Sequence, residues 1–218
     1  MIKTARIACV VAAMALLGGC ATSRSVVLPD GGTAVENPAQ GLAVRIETVE
    51  DIRRFEAAPK TPDIPSLPAD DILNTSLTSR AIARKRNGFG MALGDVLLPE
   101  NQTVSQLVRD ALAQGFRRAG YRVLKVGEAG YEQATPITAR INEFWSWFNP
   151  GFASVTIKNR AAVDLAGAVP SLQNGVTVRN EVSESMQAVF EDDWRKIAGK
   201  GLAELSEKIQ AALNSRPN

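Results

Sequence analysis

The residues best suited to a defined reaction lie near the start of the chain, at Leu17, Gly18, Gly19 and Cys20. A leucine, two small residues and a cysteine form the pattern in which a diacylglyceryl group is transferred to the cysteine sulfur. A peptidase then cleaves before the cysteine. Two cationic residues and an apolar run over 7–17 precede the pattern, which is the order of a secretory signal. We therefore predict cleavage between Gly19 and Cys20 and lipidation of Cys20.

The absence of histidine restricts the reactions that the rest of the chain could catalyse. Histidine is the commonest general base and metal ligand, and none occurs in the 218 residues. A Ser-His-Asp triad and a His-ligated zinc site are therefore excluded within this chain. Cys9 leaves with the signal and Cys20 is the predicted lipid site, so the mature chain has no free thiol and no disulfide. We predict no catalytic residue, no metal and no cofactor.

One carboxylate is still a candidate acid. Glu143 shares the face of a predicted strand with Ile141, Trp145 and Trp147. A carboxyl group in apolar surroundings has a raised pKa and can act as a general acid. The alternative is that the strand bends or ends there and Glu143 reaches water, and the sequence favours this alternative.

Five aromatic residues surround a predicted turn at 149–151, and they are Phe144, Trp145, Trp147, Phe148 and Phe152. Strand alternation sends Phe144 and Phe148 to one side and Trp145 and Trp147 to the other. One pair can join the core while the other forms an exposed surface for a partner or a membrane. The alternative is that both pairs are buried, one under a helix and one under a proline-rich loop. The cluster is thus a candidate interaction surface.

The charge balance argues against a nucleic-acid partner. The chain has 25 basic and 23 acidic side chains. Lys3 and Arg6 leave with the signal, so the mature part has equal numbers of basic and acidic residues. A nucleic-acid-binding protein usually keeps a basic excess, because neutralising phosphates supplies most of its affinity. The predicted partners are instead the membrane, through acyl chains on Cys20, and an envelope protein or cell-wall component.

The composition divides the chain into three parts. Residues 1–19 are the predicted signal, 20–41 a flexible tether in which residues 26–28 could dock locally, and 42–218 a single domain. A proline-rich insertion spans 56–69, where proline recurs every third residue, the period of polyproline II. This segment could be a docking rail for a partner, but a stiff surface loop between strands is favoured.

The hydrophobic pattern predicts an α+β fold. Alternation predicts strands over 42–49, 94–98 and 121–126 and a three-strand meander after residue 136. The basic stretch 80–86 is read as a strand facing solvent rather than as an anionic-lipid patch. A helix is predicted over 104–119, with Thr103 and Gln106 as a capping box, and a final helix is predicted to be capped by Asp193. The sheet should be mostly antiparallel, with the two amphipathic helices packed on one face.

This arrangement resembles the YajG-like family of bacterial outer-membrane lipoproteins. The resemblance rests on the pattern at 17–20, the strand at 42–49, the Phe-Arg-Arg-Ala-Gly-Tyr-Arg-Val stretch at 116–123, the meander and the C-terminal helix. It covers nearly all of the mature chain, and the proline-rich segment looks like an insertion relative to the family. The resemblance implies a membrane-anchored periplasmic domain and supplies no catalytic residues.

We therefore expect a non-catalytic, lipid-anchored envelope protein that binds or scaffolds an envelope partner or a cell-wall component. Ala21 follows the lipidated cysteine, where an aspartate would favour the inner membrane, so the periplasmic face of the outer membrane is expected. One alternative is an auxiliary subunit of a transport or secretion complex. A periplasmic hydrolase is a third, less favoured function.

Overall fold

A computed structural model describes residues 24–215 of the chain, and Gly19 and Cys20 lie outside the described residues. The described part is a mixed sheet with helices, which confirms the α+β class. Its strands are β1 (Ser25–Val26), β2 (Ala43–Asp51), β3 (Ala81–Arg86), β4 (Ala92–Leu97), β5 (Arg122–Val123), β6 (Thr135–Pro150), β7 (Val155–Gly167) and β8 (Val176–Met186). Its α-helices are α1 (Thr75–Thr78), α2 (Val104–Arg118) and α3 (Glu191–Asn214).

The long strand β6 organises the sheet. One of its edges pairs with β7 in an antiparallel ladder, and β7 pairs with β8 in the same way, which forms the predicted meander. The other edge is divided, because β2 runs parallel to β6 up to Ile141 and β3 pairs with it at Ser146. Strands β4 and β1 extend the sheet beyond β3, and β5 extends it beyond β2. The antiparallel ladders are the longest, but β2 pairs with β6 in parallel because β3, β4 and α2 intervene between them.

Local signals in the sequence define the start and end of α2. The Thr103 hydroxyl accepts a hydrogen bond from the Gln106 N–H at 3.2 Å, and Gln106 Oε1 accepts one from the Thr103 N–H at 2.7 Å. Gly120 follows the helix with φ of 88°, the left-handed conformation of a C-terminal cap. At α3, Asp193 accepts a hydrogen bond from the Phe190 N–H at 2.8 Å. It therefore acts from inside the first turn, because the helix already begins at Glu191.

The sheet buries apolar side chains on both faces. The helix face is the side covered by α2 and α3, and it holds the main core, including Leu112, Phe116 and Phe144. A smaller cluster lies on the opposite side, which we call the proline face because residues 56–73 cover it. That cluster consists of Leu67, Ala81, Leu97, Trp145 and Trp147, with Phe55, Ile72 and Leu77 packed against it.

The predicted tether differs in part from the structure. From Ser25 onward the segment lies on the domain, because β1 pairs with β4 in parallel and the Val27 N–H donates to Leu97 O at 2.9 Å. Val27 enters the main core, which gives this short strand an apolar contact besides its hydrogen bonds. The Asn37 side chain then bonds both backbone groups of Val123, which holds the chain beside β5.

Candidate functional site

The structure corrects the expectation of an exposed aromatic surface around the turn at 149–151. Phe144, Trp145 and Trp147 are at most 4% exposed, and Phe148 is partly buried against the helix face. Phe152 is fully exposed. The alternative that the sequence left open is therefore the observed one: one side is buried under helices and the other under the proline-rich segment.

The proline-rich segment covers the two tryptophans through specific contacts. The Trp145 indole N–H donates to Pro62 O at 3.1 Å, and the Phe55 ring meets the Trp145 ring edge-on with centroids 5.9 Å apart. Glu56 and Ser66 form a parallel bridge that closes the segment. The segment is therefore part of this core rather than a rail standing free in solvent.

Glu143 is bound in an ion-pair network and lacks the apolar surroundings of a general acid. Its Oε1 lies 3.3 Å from Arg160 Nη1, and Glu181 and Asp63 also contact the Arg160 guanidinium. The Lys158 ammonium, which donates to Glu181, lowers the pKa of the Glu181 carboxyl. A hydrogen bond from Thr61 lowers the pKa of the Asp63 carboxyl. The lowered pKa values of Glu181 and Asp63 favour their ionised forms, which is the opposite of what proton donation requires.

Arg53 is a buried residue that the sequence analysis missed. Its guanidinium forms an ion pair with Asp51 at 2.7 Å and donates to Ala81 O at 2.7 Å and Phe144 O at 2.9 Å. Phe144 lies on β6 between the part paired with β2 and the residue paired with β3, so Arg53 fills the gap between these strands. Because its partners are backbone carbonyls brought together by the fold, no spacing in the sequence marks it. Its role is structural.

A cavity of about 590 Å³ lies beside α2, β2 and β5. We call it the basic cleft. Arg109, Arg117 and Lys125 line it together with Glu47 and Asp110, and its other lining residues include Ala113, Val123, Leu124, Val126 and Tyr131. A cavity of this size with a few polar groups among apolar ones is typical of a binding site. The sequence analysis did not single out these residues, since they come from three separate elements.

Two buried polar atoms in the basic cleft have no hydrogen-bond partner among the described residues. They are Arg117 Nε and Gln114 Oε1, on the same side of α2. Arg117 Nη1 donates to Val35 O at 3.4 Å, and Arg109 Nη1 donates to Ile46 O, so both guanidiniums are held by backbone carbonyls rather than by carboxylates. Their positive charge is left for a ligand. The cleft is therefore suited to a ligand with an anionic group and an apolar part.

Within residues 24–215, no group of three or more acidic, histidine or cysteine side chains is placed to hold a metal ion. None of the helices in this part of the chain is both long enough and apolar enough to span a bilayer.

Comparisons with known proteins give only distant likenesses. No protein-family model matches the chain, and no curated protein matches it. A Xanthomonas campestris protein of the family DUF330 has 10% identity, with 88% of this chain and 94% of that chain covered and a TM-score of 0.44. A candidate lipoprotein from Caulobacter crescentus has 16% identity, with 50% and 79% covered and a TM-score of 0.31. An uncharacterized protein has 12% identity, with 79% and 95% covered and a TM-score of 0.38. Membership of the YajG-like family is not shown by these likenesses.

Proposed function

We propose that this chain is a lipid-anchored envelope lipoprotein that binds an anionic envelope partner or cell-wall component in the basic cleft and has no catalytic role. The observation that carries the binding role is the cleft itself, which joins three cationic side chains to apolar walls. Lipidation of Cys20, the outer-membrane location suggested by Ala21 and kinship with YajG-like lipoproteins belong to the same proposal.

The charge of the basic cleft supports an anionic partner. Arg117 keeps an unpartnered Nε, and Lys125 is exposed at the cleft. Charge-assisted hydrogen bonds from arginine to a carboxylate or phosphate are the strongest that a side chain offers, and the apolar walls would add burial of a non-polar part. An acidic peptide segment of an envelope protein and a carboxylate-bearing cell-wall fragment both have this chemistry.

The non-catalytic role is supported by the state of the carboxylates. Glu143, the one candidate acid, is paired with Arg160, and the neighbouring pKa shifts are downward.

The anchor is tested by Cys20→Ser in the full chain. We expect loss of acyl labelling and release of the protein from the membrane fraction, because the thiol is the only atom that accepts the lipid. Ala21→Ser is the matched control and should keep both. Acyl labelling that persists in Cys20→Ser would contradict the anchor.

The binding role is tested by photo-crosslinking in cells from position 126. Val126 lines the basic cleft and is exposed, so a photoreactive residue there should give a discrete adduct with the bound partner. Lys125→Glu should reduce that adduct by about tenfold, which corresponds to about 1.4 kcal/mol, because the reversed charge would repel an anionic partner. Arg179→Glu, a reversal on the exposed side of β8, is the control. An adduct unaffected by Lys125→Glu would contradict an anionic partner in this cleft.

A further inference from the structure

The exposed aromatic residues of the domain share one end of the sheet. Phe89 is 93% exposed and Met91 follows it in the turn between β3 and β4, while Phe152 is fully exposed in the turn between β6 and β7. Phe190, also exposed, stands just before α3. Such side chains are costly to leave in water, and their gathering marks a contact surface.

The strand pairings place these turns at the same end. β3 runs parallel to β6, so the turn that follows β3 lies beside the turn that follows β6. A single cavity is lined by Gly88 and Gly90 of the first turn and by Asn149 and Pro150, the last residues of β6 before the second turn. β8 ends beside the start of β7, which brings the Phe190 segment to this end as well.

The described chain begins at this end too. β1 is parallel to β4, and Arg24, just before β1, reaches Asp95 of β4 at 3.4 Å. Cys20 precedes Arg24 by four residues, so the two residues are at most about 14 Å apart even if the chain between them is fully extended. Met91 also precedes Asp95 by four residues, so the turn after β3 reaches about as far as the anchor can. We call this end of the domain the anchor end.

A basic cavity opens between the two turns. It has a volume of about 280 Å³ and is lined by residues of the proline-rich segment, by the turn after β3, by the end of β6 and by Arg84 and Arg86. Arg84 Nε forms an ion pair with Asp95 Oδ1 at 3.6 Å, while Arg84 Nη1 and Arg86 Nε have no hydrogen-bond acceptor among the described residues. Burial, with Arg84 nearby, lowers the pKa of the Arg86 guanidinium. The exposed Lys60 also lines the cavity, and neither Lys60 nor Arg86 is ion-paired among the described residues, so the charge of the cavity suits an anion.

We propose that the anchor end docks on the anionic bilayer that holds the Cys20 lipid, with Phe89, Met91 and Phe152 at the interface and a phospholipid headgroup phosphate at the Arg84–Arg86 cavity. Apolar tips flanking a cationic cavity match the layers of such a surface, where acyl chains lie beneath anionic headgroups. Because only four residues separate Cys20 from Arg24, an acyl chain on Cys20 would hold this end close to the bilayer. The bilayer, rather than a soluble partner, is therefore the surface that this end contacts. The basic cleft then faces away from the membrane, since it lies beside β5 and the opposite ends of β2 and β6.

This inference rests on the proposed lipid anchor, and depth measurements test it. The mature chain has no cysteine besides Cys20. Phe89→Cys and Phe152→Cys therefore each give one labelling site in the acylated protein. The matched control is Val126→Cys, which is similarly exposed but lies near the opposite end. Each labelled protein is reconstituted in vesicles of phosphatidylethanolamine and phosphatidylglycerol that contain spin-labelled lipid as a quencher.

We expect strong quenching from positions 89 and 152 and almost none from position 126. Equal quenching at all three positions, or none at 89 and 152, overturns the docking. Acyl labelling is measured on the same samples, so an acylated protein without quenching refutes the docking while the anchor stands. Absent acylation instead refutes the anchor.

The docking surface can also be measured without the lipid. In the Cys20→Ser chain, we expect sedimentation with phosphatidylglycerol-containing vesicles that falls by about tenfold when Phe89 and Phe152 are both changed to Ser, given the apolar area removed. Lys60→Glu should weaken binding to these vesicles, while Lys125→Glu in the basic cleft should not. Binding to purely zwitterionic vesicles that equals binding to anionic ones would overturn the headgroup site.

Discussion

The helix face and the proline face of the same sheet are built by different means. On the helix face, α2 and α3 bury a continuous apolar core, and a Cβ atom added at Gly115 of α2 would lie 2.7 Å from Ile209 of α3. On the proline face, a segment with little regular structure covers two tryptophans through a few directed contacts. Both faces exclude water, but only the first does so with periodic elements.

The difference shows that the face on which a strand places a side chain is determined separately from the element that buries it. β6 alternates its side chains, and this sends Phe144 to one face and Trp145 to the other whatever covers them. Helices bury a sheet face through many apolar contacts of the same kind. An irregular segment needs fixed contacts, and the Trp145 indole supplies one by donating to Pro62 O. Arg53 acts next to the segment, where it joins the end of β2 to β3 and β6.

Among the substitutions that test this difference between the two faces, Arg53→Met is expected to lower the free energy of unfolding the most. The change leaves Asp51 without its buried partner and removes the donor from three backbone carbonyls, those of Thr78, Ala81 and Phe144. Breaking a buried pair on one side costs about 3–5 kcal/mol of the free energy of unfolding, which chemical denaturation measures.

Arg140→Met is the matched control, since its ion pair with Glu50 lies on neighbouring strands but is exposed at both partners. Its cost should stay below about 1 kcal/mol. Equal losses for the two variants would mean that Arg53 does not fix the proline face.

A matched pair of leucines compares the faces directly. Leu112 of α2 and Leu67 of the proline-rich segment are both fully buried. Leu112→Ala should cost about 3–5 kcal/mol, because two packed helices collapse poorly around a cavity, whereas Leu67→Ala should cost about 2 kcal/mol, since an irregular cover relaxes more. Native-state proteolysis should also show faster cleavage within residues 56–73 for Leu67→Ala alone. Similar losses and no local cleavage would show that the two faces respond as one unit.

The smallest effect concerns the uncovered part of the proline face, where charges on β7 and β8 meet solvent. The hydrogen bond from Lys158 lowers the pKa of Glu181 from its ordinary value of 4.5. A carboxyl group whose pKa is lower in the folded state stabilises the fold at pH values above its unfolded-state pKa. This stabilisation is lost as the pH falls through its folded-state pKa. Unfolding free energy should therefore fall below about pH 4.5, and Glu181→Gln should lessen that fall by under about 1 kcal/mol, since the pair is partly exposed. If the unfolding free energy depends on pH identically in both proteins, Glu181 does not contribute to the loss of stability in acid.

Much of the helix face was predictable because its signals are local. The capping box at Thr103 and Gln106, the apolar stripe of α2 and the glycine after it all lie within one turn of the residues they control. The meander was predictable for the same reason, as β6, β7 and β8 follow one another. The candidate site was not, because the basic cleft combines residues from α2, β2 and the segment after β5.

The sequence by itself determined the two long helices, the meander and the α+β class, and the Leu-Gly-Gly-Cys pattern at 17–20 from which lipidation of Cys20 is predicted. Each depends on neighbouring residues or on a period of two or about four. Only the tertiary structure decided that the proline-rich segment buries Trp145 and Trp147, that Arg53 joins three strands, and that Phe89 and Phe152 share one end of the sheet. Alternation fixes the side of a strand on which a residue lies, but contacts between distant segments fix what meets it there, and no local pattern encodes those contacts.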